Sequence, residues 1–256
     1  MGKLRAMCCF SRPVDFVADT GIFARHARQG RQLLVYGMKV GASEALAMIL
    51  PIPVAAGSAE GAVDFINLEG YPVFFDDLAA GFARRSFLAG AAKSVQPGDV
   101  RTLKVERVGS FVASFVPTVR DFARLDPRFR LSDGVWKRLG QYAKYGFAVF
   151  QLRKGAGRIH PMAFSFPAAT PERLFFPTVH IHDGEVHPEA EFDHTLYCQV
   201  TKAGLGSLLH WEESGRPASG FVNAAKARGV VEPERHVFRR ELRGMLANVD
   251  TVLRAA

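Results

Sequence analysis

Two apolar runs, residues 21–28 and 32–40, flank Gln29-Gly30-Arg31, a pattern that folds back on itself as a β-hairpin. A third run, 45–54, carries Pro51 and Pro53 and reads as a buried strand with an edge or an exit at the prolines. Further strand signals fall at 102–116, turning at Gly109, and at 146–153 and 158–166 on either side of a glycine turn. Strands at 174–182 and 193–201 follow. Helices are expected at 61–68, at 73–84, where Phe74, Leu78 and Phe82 recur every fourth residue, at 119–125, and from Ser132 as N-cap to about residue 145. In 236–254, Phe238, Leu242, Met245, Leu246, Val249 and Leu253 recur three or four apart, the spacing of an amphipathic helix. The expected fold class is therefore α+β: a mainly antiparallel sheet or sandwich with inserted helices and a C-terminal amphipathic helix. A polar stretch at 212–219 with Gly215 and Pro217 divides a main domain, 1–211, from a linker and helical extension, 212–256.

A chain of 256 residues can bury a full core, and 21 Phe against 5 Tyr and 2 Trp favour a thick apolar interior. The net charge of +8 is not gathered into a stripe: 101–150 holds ten Lys/Arg against four acids, while 170–195 holds one Arg against six acids. That distribution argues against a nucleic-acid footprint. No apolar run approaches the ~20 residues that span a bilayer, and the start lacks a signal-peptide core. Three cysteines, two of them adjacent, make no disulfide framework, so a reduced, cytoplasmic setting is expected.

The chemistry concentrates in residues 175–194, which hold four of the eight histidines and five carboxylates. Imidazole and carboxylate are ligands of borderline divalent metals, zinc first, with iron, manganese or copper as alternatives. The candidate shell is His180, His182 and His187, completed by His194 or Asp193. On a strand His180 and His182 leave one face, with Val179 and Ile181 on the core side. An open coordination position would admit hydrolysis, with Glu185 or Asp193 as base. The bland alternative is a polar hairpin whose histidines are only surface hydrogen-bonding groups. A second candidate is Cys8: were Met7 the start and removed, Cys8 would carry a free α-amine, the arrangement of an N-terminal nucleophile hydrolase. Against this, free cysteine is most often a small buried hydrophobe. The main rival to the metal site, ahead of the Cys8 hydrolase, is a non-catalytic interaction module that acts through its basic body and terminal helix, including self-association through that helix.

Several segments carry a resemblance: the start Met7-Cys8-Cys9-Phe10-Ser11-Arg12-Pro13-Val14, the strand Ile49-Leu50-Pro51-Ile52-Pro53-Val54, residues 62–71, and the strands 146–153 and 161–167. Together they resemble an uncharacterised bacterial family, the domain of unknown function numbered 2330, or a cytosolic relative of it. The resemblance spans about the first 200 residues, implies an α+β architecture, and implies no activity. The chain departs from it in lacking the signal of its secreted members and in its dense histidines at 180–194.

Overall fold

The computed structural model describes residues 9–82, 106–181 and 185–254. Its strands are β1 (Cys9–Phe10), β2 (Phe16–His26), β3 (Arg31–Ala42), β4 (Leu46–Ile52), β5 (Asp64–Asn67), β6 (Glu106–Val108), β7 (Phe111–Val116) and β8 (Gly146–Leu152). They continue as β9 (Gly155–Arg158), β10 (Met162–Pro167), β11 (Arg173–Phe176), β12 (Glu189–Gln199), β13 (Glu212–Glu213), β14 (Phe238–Ala247) and β15 (Thr251–Arg254). Two short α-helices, α1 (Phe74–Ala80) and α2 (Asp133–Arg138), accompany them.

The expected hairpin forms: β2 and β3 pair antiparallel, and Gln29 and Gly30 take the two left-handed conformations that a tight two-residue turn demands. The strands assemble into a five-stranded sheet, β1-β4-β8-β7-β6, and a larger sheet, β13-β14-β12-β2-β3-β10-β5, with β9 also on β3. Among the described strands all pairings are antiparallel except β12 with β2, and an isolated parallel bridge joins Cys9 to Ile181. One face of each sheet meets in the main core, which includes Leu34, Tyr36, Met48, Phe150, Phe164 and Leu196. A second core packs Phe122, Trp136, Tyr142 and Phe147 on the outside of the smaller sheet. A third packs α1 and residues 218–237 on the outside of the larger one. There a Cβ added to Gly21 or Gly37 would meet the Phe75 ring at 2.5 or 2.6 Å, so this glycine pair seats α1.

The α+β expectation is overturned. The chain is mostly β, with 44% strand and 14% helix. Residues 61–68 supply the strand β5 and not a helix, and the helix expected from Ser132 to 145 stops at Arg138. Most importantly, there is no C-terminal amphipathic helix. Residues 238–247 form β14, which pairs along its whole length with β12, and 251–254 form β15 on β11. The misreading has a physical cause. Phe238, Leu242 and Leu246 lie four apart, a spacing shared by one helix face and one strand face, because four is a multiple of two. Ten backbone pairings to β12 decide between them. Self-association through a terminal helix falls with that helix. Among the described residues no helix is long and apolar enough to cross a membrane.

Candidate functional site

The His-rich segment runs from β11 through residues 177–188 into β12. His180 and His194 are both buried, at 2% and 0% exposure, and their ring centroids lie 5.0 Å apart. Phe192 packs against both rings, at 4.2 Å from His180 and 5.3 Å from His194. Neither ring nitrogen of His194 has a hydrogen-bond partner among the described residues. Burial first, then the neighbouring His180 and Arg243, holds the His194 pKa well below the usual histidine range, so the ring is neutral. Thr20, its register partner on β2, is also buried, and its hydroxyl has no partner among the described residues. Thr20 follows Asp19, whose φ is +53°, at a bulge that shifts the β2–β3 register.

Strand alternation separates the other expected ligands. Asp193 points to the opposite face of β12 from His194. There it accepts a hydrogen bond from the Asp19 backbone N–H at 3.0 Å and pairs with Arg243 at 2.9 Å. Beside this pair a cleft of about 210 Å³ is rimmed by Asp19, Lys39, Asp76, Arg158 and Arg243. Its other charges are also matched, Lys39 with Asp19 and Arg158 with Asp76. His187 is exposed, and Glu185 pairs with Arg138. His182 and Cys8 lie outside the described residues. Among the described residues no three His, Cys, Asp or Glu side chains converge as a metal-holding group. Val179 and Ile181 do face the core, packing with Cys9 and Ile49. Cys198 is fully buried, and burial pushes its thiol well above the ordinary range, which makes it unreactive.

Two residues that position this segment are Asn248 and Asp250, which the sequence reading had absorbed into the terminal helix. Asp250 Oδ1 accepts from the backbone N–H groups of Thr178 and Val179 at 2.9 and 3.1 Å, and its Oδ2 accepts from Tyr142 Oη at 2.6 Å. Asn248 Oδ1 accepts from the His180 N–H at 2.7 Å, while its Nδ2 donates to the carbonyls of His180 and His187, both at 3.0 Å. The available signal was Asn248-Val249-Asp250 itself, two side chains that favour turns and bond nearby backbone.

The C-terminal strands expose an unusual surface. Seven large hydrophobics are exposed among the described residues, and four fall within 245–252: Met245 (62%), Leu246 (37%), Val249 (62%) and Val252 (51%). Leu205, in the turn Lys202–Ser207 that packs against β15, is exposed as well, as is Leu209 just beyond that turn. On the side away from β12, β14 meets, among the described residues, only β13, at Phe238 and Arg239. From Arg240 to Ala247 it is therefore an open sheet edge among the described residues.

No family model and no curated protein matches the chain. Two solved structures resemble it in outline. One, a crystal structure of baculovirus p35, is 12% identical with a TM-score of 0.48, over 94% of this chain and 97% of that one. The other, the caspase-8/p35 complex, is 13% identical with a TM-score of 0.49, over 93% and 96%.

Proposed function

We propose that this chain is a non-catalytic protein-interaction module that takes up an extended segment of a partner protein as an added strand on β14. The observation that carries this reading is the open edge from Arg240 to Ala247, continuous with the exposed Met245, Leu246 and Val249. An unpaired row of backbone donors and acceptors beside exposed apolar side chains is what strand addition uses: main-chain bonds give affinity and alternate side chains give specificity. A reducing, cytoplasmic compartment suits the buried thiol of Cys198.

The test is amide hydrogen exchange on the full chain with and without a neutral probe peptide of alternating valine and threonine. Slowed exchange confined to 240–247 on adding saturating peptide is the expected result. Unchanged exchange across that segment would sink the reading.

A second reading rests on a different observation, the two buried imidazoles. A transition-metal ion, zinc foremost, would use His180 and His194, and His182 is the sequence's further candidate. Their 5.0 Å ring separation is about the spacing of two imidazoles sharing a tetrahedral ion at ~2.0–2.1 Å. Zinc that raises the melting temperature of the native chain but not of His194→Phe supports it; no bound zinc in either protein removes it.

A further inference from the structure

Building on the strand-addition reading, we infer the chemistry of the occupant: an acidic, partly apolar segment of another protein, running antiparallel to β14.

The edge carries Arg239, Arg240 and Arg243 against the single acid Glu241. Arg239 is already committed, paired with Glu212 at 2.5 Å and lying over the Phe82 ring at 4.6 Å. Arg243 pairs with Asp193 at 2.9 Å and lies 3.9 Å from Glu241, but keeps 47% of its side chain exposed. Arg240 is exposed and has no ion pair among the described residues. Arginines on an open edge repel another edge of the same charge and accept an acidic one, so they exclude a second copy of this chain while admitting the partner. The net charge of +8 attracts the same class of segment at longer range.

Register then orders the occupant. β13 already lies antiparallel to β14 at Phe238 and Arg239, so an added strand continues in its line along 240–247. Residues directly opposite share a face. Read from its N-terminus, the segment therefore presents two apolar residues opposite Leu246 and Met245, any residue opposite Gly244, and an acid opposite Arg243. Two further residues separate that acid from a second one opposite Arg240. A Cβ on Gly244 would meet nothing within 4 Å, which leaves the middle of the strand open to a large side chain from the partner.

The experiment is fluorescence anisotropy of the full chain with a labelled peptide of that pattern and with its counterpart carrying Gln in place of both acids. Both peptides are run against the native chain and Arg240→Gln/Arg243→Gln, at low and raised salt, with sedimentation of the free chain alongside. Two half-exposed pairs predict that the acidic peptide binds about tenfold tighter, a preference lost in the double variant and at raised salt. Equal binding of the two peptides overturns the acidic assignment and leaves strand addition standing. No binding of either overturns both. A dimer that occupies its own β14 edge, revealed by sedimentation and lost in Leu246→Lys, overturns the assignment in favour of a second copy.

Discussion

The carboxylate of Asp250 and the imidazole of His194 are both buried beside the same short run, residues 178–181, but they are treated differently. Asp250 accepts three hydrogen bonds, from Thr178, Val179 and Tyr142, whereas the His194 ring makes none among the described residues. Both pKa values move towards the neutral form, because burial is the largest cause in each. For Asp250 its hydrogen bonds pull back against that burial and leave the carboxyl raised to about 6; for His194 its neighbours His180 and Arg243 push further the same way. A saturated buried group is architecture: it fixes where residues 178–181 run. An orphaned one is a standing cost of roughly 1–3 kcal/mol, which an added ligand or an apolar replacement of similar shape recovers.

The largest effect is expected at the saturated site. Asp250→Ala removes the shared acceptor and orphans two backbone N–H groups and a buried phenol, for a loss of about 3–5 kcal/mol. Urea unfolding with an unchanged slope is the measurement, and a loss below about 1 kcal/mol would show that the clamp holds nothing. Asp250→Asn keeps an acceptor for the two N–H groups, so it should cost less. It also sharpens the pH behaviour. A carboxyl raised from 3.8 to about 6 contributes stability that is fully present below 3.8 and fades as pH rises through about 6. Between pH 7.5 and 5 the native chain therefore gains from Asp250, and Asp250→Asn forfeits that gain.

The contrast also explains what was legible beforehand. The hairpin around Gln29 and Gly30 was readable because its turn residues and apolar runs are local signals. Val179 and Ile181 facing the core followed from period-two alternation, as did the opposed faces of Asp193 and His194, which divide the expected ligand set. The fate of 236–254 was not readable. Its four-residue spacing fits both periods, and pairing with β12 is a contact between residues some fifty positions apart that no local pattern encodes. Reading that segment as helix also hid Asn248 and Asp250, because turn-forming side chains look unremarkable inside an assumed helix. The burial of His180 was missed for a related reason: alternation gives the face, but only the sandwich determines whether that face meets water.

His194→Phe breaks the comparison from the other side. An aromatic ring of similar shape keeps the packing on Phe192 and removes two orphaned nitrogens, so stability at pH 7.5 should rise by about 1–2 kcal/mol. A histidine whose folded pKa is depressed contributes stability that is present above its unfolded value, 6.5, and lost as pH falls through the lower folded value. That is opposite in sign to Asp250. The advantage of His194→Phe should therefore widen from pH 7.5 to 5, which paired urea midpoints at the two values would measure. A variant less stable than the native chain at both pH values would mean that the imidazole is bonded after all.

The smallest effect belongs to Thr20, whose buried hydroxyl sits across from His194. Thr20→Val exchanges the hydroxyl for a methyl of nearly equal volume and keeps the β-branch suited to a strand. It should gain about 0.5–1 kcal/mol, because the hydroxyl, like the His194 ring, has no partner among the described residues. The double variant with His194→Phe tests whether the two orphans form one site. Independent sites add, whereas a shared polar pocket makes the second substitution worth less than the first, because the first has already removed one of the pocket's two polar walls. Additivity within about 0.5 kcal/mol would separate Thr20 from His194 and leave its hydroxyl as a local cost of the bulge that follows Asp19.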